Sequence, residues 1–221
     1  MKCPRCVQRI HRAAASCPHC GFTIADADAN FGGDEVRLRS LHDSAGILRR
    51  GDRERVAAAM RQITRRYPQV FVAIYTGSVG ELANLRQFGF WLLNRAAFED
   101  VPVEMPNEAG ILLTLDPESK AAGMVFGYLL DPYLEESDTF ACLSRGHAYW
   151  LEGRYADGMV KCLQHLDGVL RKRSRQVRRD PESFVRKAAA PTQLKDLVQS
   201  IQAGHHHHPD ASQDKNVEVA L

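Results

Sequence analysis

Between Glu35 and Lys172 the apolar positions switch repeatedly between helical and strand-like spacing. Val56, Met60 and Ile63 recur at helical intervals, Asp52 is placed to cap them, and Tyr67-Pro68 stops them, so residues 52–67 read as a helix. Val70-Phe71-Val72-Ala73-Ile74-Tyr75 is a nearly continuous apolar run of strand length, the pattern of a buried strand. Gly77-Ser78-Val79-Gly80 breaks the chain. Leu82, Leu85, Phe88, Trp91 and Leu92 then share one face of a helix expected from about Glu81 to Phe98. Residues 110–115 and 122–128 are further strands, and the Asp116-Pro117-Glu118-Ser119 turn between them makes a hairpin. Two more helices are expected at about 135–147 and 155–172. Helix, strand, helix, strand, strand, helix, helix predicts an α/β protein: a three-layer α/β/α sandwich with a mixed sheet.

The first residues follow neither period. Cys3-Pro4-Arg5-Cys6 and Cys17-Pro18-His19-Cys20-Gly21 each set two thiols across a tight turn. Four thiolates on two such knuckles suit a closed tetrahedral zinc site, so a small zinc ribbon over residues 1–24, with Cys3, Cys6, Cys17 and Cys20 as ligands, precedes the larger domain. A pair of disulfides is the competing reading of the same cysteines. The ribbon has Lys2, Arg5, Arg9 and Arg12 and no acid. Residues 25–34, small, acidic and glycine-containing, read as a linker, which leaves the ribbon tethered to the domain at 35–172. Residues 173–221 read as a basic helical and then disordered tail, with an interrupted amphipathic helix at 181–202 and a tract at His205-His206-His207-His208.

Composition adds constraints of class. The formal net charge of +2 is too small to mark the whole of the 221-residue chain as a polyanion binder. The basic residues are nevertheless concentrated at 171–179, Arg171-Lys172-Arg173-Ser174-Arg175-Gln176-Val177-Arg178-Arg179. That run suits phosphates of nucleic acid or lipid, or is a solvated helix end; it contains no aromatic residue on which single-stranded bases could stack. A protein partner contacting the ribbon is favoured over nucleic acid. No apolar run approaches the roughly 20 residues that span a bilayer, and Lys2 and the knuckles stand where a signal's apolar core would be, so a cytoplasmic protein is expected. Cys142 and Cys162 lie among apolar residues at helical positions and read as buried thiols.

Four stretches of the 35–172 segment resemble the TPM domain family (thylakoid, phosphatase and membrane-anchored proteins). They are Leu41-His42-Asp43-Ser44-Ala45-Gly46-Ile47-Leu48, Asn107-Glu108-Ala109-Gly110-Ile111-Leu112-Leu113, Gly127-Tyr128-Leu129-Leu130-Asp131-Pro132-Tyr133-Leu134 and Gly153-Arg154-Tyr155-Ala156-Asp157-Gly158. The resemblance implies an α/β/α fold and, in some members, a divalent-cation site with acid phosphatase activity. It places Asp43, Glu108 and Asp131 at the family's acidic positions, where three carboxylates would suit calcium or magnesium. Their other reading is a turn or helix cap at Asp43 and solvated loop acids at Glu108 and Asp131. Glu108 and Ala109 replace the family's Asp and Asn, and no phosphate-binding loop, nucleophile elbow or His-Glu-x-x-His helix is present. No catalytic residue can be named and no organic cofactor is implied. The reading that follows is a binding or accessory module, with a metal-dependent phosphatase as the alternative.

Overall fold

The computed structural model describes residues 2–10, 14–80, 84–182 and 184. Its centre is a four-stranded mixed sheet ordered β2 (Leu41–Asp43), β3 (Phe71–Thr76), β5 (Gly110–Asp116) and β6 (Ala121–Phe126). The first three run parallel, and β6 returns antiparallel to β5 through the hairpin at Asp116. β3 and β5 are buried on both faces, which explains their unbroken apolar sequence.

Alternation along those two strands divides the core. Val72, Ile74, Ile111, Leu113 and Leu115 face one layer of three helices, α2 (Arg50–Arg66), α4 (Glu136–Leu151) and α5 (Tyr155–Arg179). Val56, Met60 and Ile63 of α2 meet that face, as their spacing predicts. Phe71, Ala73 and Leu112 face the other layer, built on α3 (Leu85–Arg95). A Cβ at Gly89 of α3 would lie 3.2 Å from Val125, so glycine there lets the helix settle close to the sheet. Two helical layers around a mixed sheet make the α/β/α sandwich, with the cysteine knuckles preceding it.

Boundaries differ from the sequence reading in instructive ways. Helix α2 begins two residues before Asp52, which sits inside the first turn and pairs with Arg55 instead of capping. The expected helix from Glu81 to Phe98 is described from Asn84, whose side chain caps it by accepting from the Arg86 N–H at 2.9 Å; residues 81–83 lie outside the described set. It stops at Arg95, because Ala96–Phe98 leave as β4, parallel to β1 (Val36–Leu38), with Phe98 packed on Phe71 at 5.3 Å. Strands of three residues carry too few positions to register as a period, so β1, β2 and β4 were silent. Helix α5 carries the basic run to Arg179, and residues 185–221, with the His205–His208 tract and most of the expected 181–202 helix, lie outside the described residues.

The expected linker is the largest correction. Within residues 25–34 most of the chain is helix α1 (Ile24–Phe31). Thr23 accepts from the Asp26 N–H while Asp26 accepts from the Thr23 N–H, a reciprocal cap that small and acidic composition conceals. Ala27 is fully buried, Phe31 packs on Phe88 and Trp91, and Trp91 Nε1 donates to the Gly32 carbonyl at 2.8 Å. Arg95 binds Asp28 through both Nε and NH2. The segment before Glu35 is therefore docked onto α3 and not merely tethered.

Candidate metal centre

Both knuckles fold the same way. The Cys3 N–H donates to Gln8 O and the Val7 N–H to Cys3 O, and the Cys17 N–H donates to Phe22 O and the Gly21 N–H to Cys17 O. The closing residue of each turn has a left-handed backbone, Val7 at φ 65° and Gly21 at φ 70°. Glycine adopts that conformation freely; a β-branched valine does so under strain, so the first knuckle is held by its context. These turns bring the four sulfurs within 4.8 Å of one another, with Cys3–Cys20 at 3.7 Å and Cys6–Cys17 at 3.6 Å. All four are free thiols at separations far beyond the roughly 2.05 Å of a disulfide. Among the described residues, this is the one group of three or more Cys, His, Asp or Glu close enough to hold a metal ion.

The centre is seated on the domain. Cys3 is fully buried and Cys17 is 2% exposed, in the cluster that contains Phe22, Ala27, Phe88 and Trp91. Phe22 meets Phe90 edge-on at 5.9 Å, and Arg5 lies over the Phe22 ring while binding Asp26. Lys2 reaches Glu136 at the start of α4, which Arg86 of α3 also binds. The thiols differ from one another. Burial pushes the Cys3 thiol up to about 12, whereas at Cys17 the effect of burial is outweighed by the N–H groups of His19 and Cys20, which hold it at about 7. Four cysteine sulfurs, two of them buried and two partly buried, describe a holding site more than a reacting one.

The three acids are not brought together. Asp43 ends β2 opposite Thr76, the last residue of β3, at the C-terminal edge of the parallel strands. Glu108 lies in the 3-10 turn before Gly110, which pairs with Phe71 at the start of β3, at the opposite edge. Five residues of strand, about 17 Å, separate the two edges. Asp131 follows β6 on the Glu108 side. Glu108 accepts from the Tyr128 hydroxyl at 3.1 Å, and Asp131 faces Arg9 at 3.9 Å. The sequence could not show that Asp43 trails its strand whereas Glu108 leads its own.

The Asp43 side chain is fully buried and its acceptors are filled. One oxygen takes the Ile47 N–H at 3.1 Å and the Thr76 hydroxyl at 2.5 Å; the other takes the Leu48 N–H at 3.0 Å and Arg53 at 3.1 Å. It organises the turn into α2, as the capping reading expected. Asp116 behaves alike at the same edge, accepting from the N–H groups of Val79, Glu118 and Ser119, donors that outweigh burial and lower its pKa. In the sequence, Asp116 stands out only as the first residue of the Asp-Pro turn. Cys142 and Cys162 are both fully buried between α4 and α5, as their apolar setting implied.

No family model and no curated protein matches the chain. Among solved structures it is similar to the N-terminal domain of a protein from P. gingivalis, at 23% identity over 60% of this chain and 82% of that one, with a TM-score of 0.47. It is also similar to the N-terminal domain of the cg2496 protein from Corynebacterium glutamicum, at 12% identity over 62% and 82%, TM-score 0.47. A third, the BA42 protein from Bizionia argentinensis, is 11% identical over 57% and 83%, TM-score 0.45.

Proposed function

We propose that this chain is a binding or accessory module in which a structural zinc ion clamps an N-terminal ribbon onto a TPM-like α/β/α domain. The observation that carries this is the sulfur cage: a tetrahedron with Zn–S bonds of about 2.3 Å has S···S edges of about 3.8 Å, and two edges here are 3.6 and 3.7 Å. Cys3, Cys6, Cys17 and Cys20 would supply all four positions, leaving none for a substrate. The ion's task is then to fix two turns whose apolar sides rest on Phe88, Trp91 and Phe90 of α3. The outer side of the ribbon is offered to a protein partner. A phosphatase reading finds no support in these residues, because Asp43 is spent on its own turn and Glu108 lies at the other edge of the sheet. No helix among the described residues is long and apolar enough to cross a membrane.

The test is metal content of the purified full chain by mass spectrometry, beside Cys17→Ser. One zinc per chain is expected in the parent and a stoichiometric loss in the variant. Chelation should also shift Trp91 emission, since Trp91 holds the end of α1. Equal zinc in both proteins, or zinc in neither, would overturn the assignment. Metal-dependent hydrolysis of an aryl phosphate would reinstate an enzyme.

A further inference from the structure

We propose that α2 and the C-terminal half of α5 together form a docking surface for the phosphate backbone of double-stranded nucleic acid. The two helices lie side by side and run in the same direction: Arg55 pairs with Asp157 and Arg66 with Asp167, residues 102 and 101 positions apart. Asp167 also binds Arg171 at 3.0 Å, so a single carboxylate joins the end of α2 to the middle of α5. Asp167 apart, the stretches of the two helices that flank this junction present no acid before Asp180, which closes α5. Positions 58–66 contain Arg61, Arg65 and Arg66, positions 168–179 contain six basic residues, and neither stretch has an Asp or Glu.

Arg66 and Arg171 share Asp167, one carboxylate between two guanidinium groups, and Arg173 turns inward to Asp138 of α4. The remaining cations, Arg61, Arg65, Lys172, Arg175, Arg178 and Arg179, are exposed and have no carboxylate partner among the described residues. Arg175 and Arg178 continue the helical stripe of Asp167 and Arg171, which is the stripe that meets α2. Arg61, Arg65 and Arg66 line an open hollow of about 590 Å³ with Ala58 and Gln62. The result is a row of guanidinium groups that runs along α2 and then about 12 Å further on α5, at 1.5 Å per residue.

The chemistry of this face selects its partner. The exposed large apolar side chains, Val7, Val103, Leu129, Phe140 and Leu151, all lie outside α2 and α5. A membrane-lying helix needs an apolar face and a protein interface needs an apolar centre, and this surface has neither. It has no exposed aromatic ring for stacking single-stranded bases. Forked guanidinium groups with fixed spacing match a rigid array of phosphates, one charge per about 1.7 Å of duplex axis. Such contacts position a duplex without reading its sequence.

The experiment is fluorescence anisotropy of a labelled DNA duplex with the full chain across a salt titration. If four to six cations engage phosphates, log affinity should fall against log salt with a slope of about −3.6 to −5.4. Arg175→Ala with Arg178→Ala should make the slope less negative by about 1.8, and so should Arg61→Ala with Arg65→Ala. Arg37→Ala, an exposed arginine on β1, should change nothing. These positions have no carboxylate partner among the described residues, so both double variants should keep the parent's thermal midpoint, which separates lost contacts from lost structure. Absence of duplex binding at low salt overturns the proposal, as does indifference to either double variant. Tighter binding to phosphatidylserine vesicles or to the single strand than to the duplex would overturn it in favour of those partners.

Discussion

Replacing Asp43 by Asn tests whether this residue is a turn organiser or a metal ligand. The substitution keeps the shape and removes the charge and one acceptor. If the amide oxygen keeps Ile47 and Thr76, the amide NH₂ is left facing the Leu48 N–H and Arg53, where an oxygen now accepts at 3.0 and 3.1 Å. A hydrogen bond to a charged acceptor contributes about 1.5–3 kcal/mol, and an orphaned buried N–H costs about 1–3 kcal/mol. The surviving bonds also lose their charge assistance. Together these put the loss at about 2–4 kcal/mol. Arg53→Ala should cost less than about 1 kcal/mol, because Arg53 is 48% exposed and its ion pair is screened. Urea unfolding followed by circular dichroism, with zinc saturating, would read the first change as a midpoint about 1 M lower and the second as nearly none. Equal effects of the two substitutions would refute the buried-turn argument. Stabilisation of the parent but not of Asp43→Asn by calcium or magnesium would do so in favour of a cation at Asp43.

Two further outcomes follow from other parts of the fold. A methyl group at Gly158 would collide with the Trp150 ring and the Gly146 carbonyl across the α4–α5 contact, so Gly158→Ala should destabilise the fold by about 1–3 kcal/mol of overpacking and lower its thermal midpoint, although in an isolated helix the same change stabilises by about 1 kcal/mol. Acidification reads the N-terminal attachment: the Arg95 hydrogen bonds hold the Asp28 carboxyl below its ordinary 3.8, so their stabilisation is complete above that value and lost as pH falls through the lower folded value. Arg95→Gln should therefore shift the acid transition of Trp fluorescence to higher pH.

The central layers were legible because buried strands and amphipathic helices leave long patterns. Val56, Met60 and Ile63 lie on the predicted face, and β3 and β5 are the predicted continuous runs. The clustering of the four cysteines was legible because two Cys-Pro-x-Cys turns so close in sequence bring their sulfurs to one place. Helix α1 was not, since Asp26 and Asp28 look solvated until their partners are known: Thr23 three residues back, and Arg95 sixty-seven residues on. The acidic positions failed for a related reason. Proximity of Asp43 and Glu108 depends on strand direction, which no local spacing records. Likewise the basic run at 171–179 could be read alone, but Arg61 and Arg65 join it only because α2 and α5 run in parallel.

The docked ribbon sets an order of events during synthesis. Its four sulfurs fall between Cys3 and Cys20, so the sulfur cage can close once that short stretch has left the ribosome. The surface it rests on comes much later, with Gly32 waiting 59 residues for Trp91. Short loops close at low entropic cost and long ones only when distant contacts reward them. The nascent chain therefore carries a finished, charged and partly apolar knob ahead of an unfinished domain. If the four sulfurs hold zinc as proposed, metal supply at that early moment bears on whether α3 finds its cover.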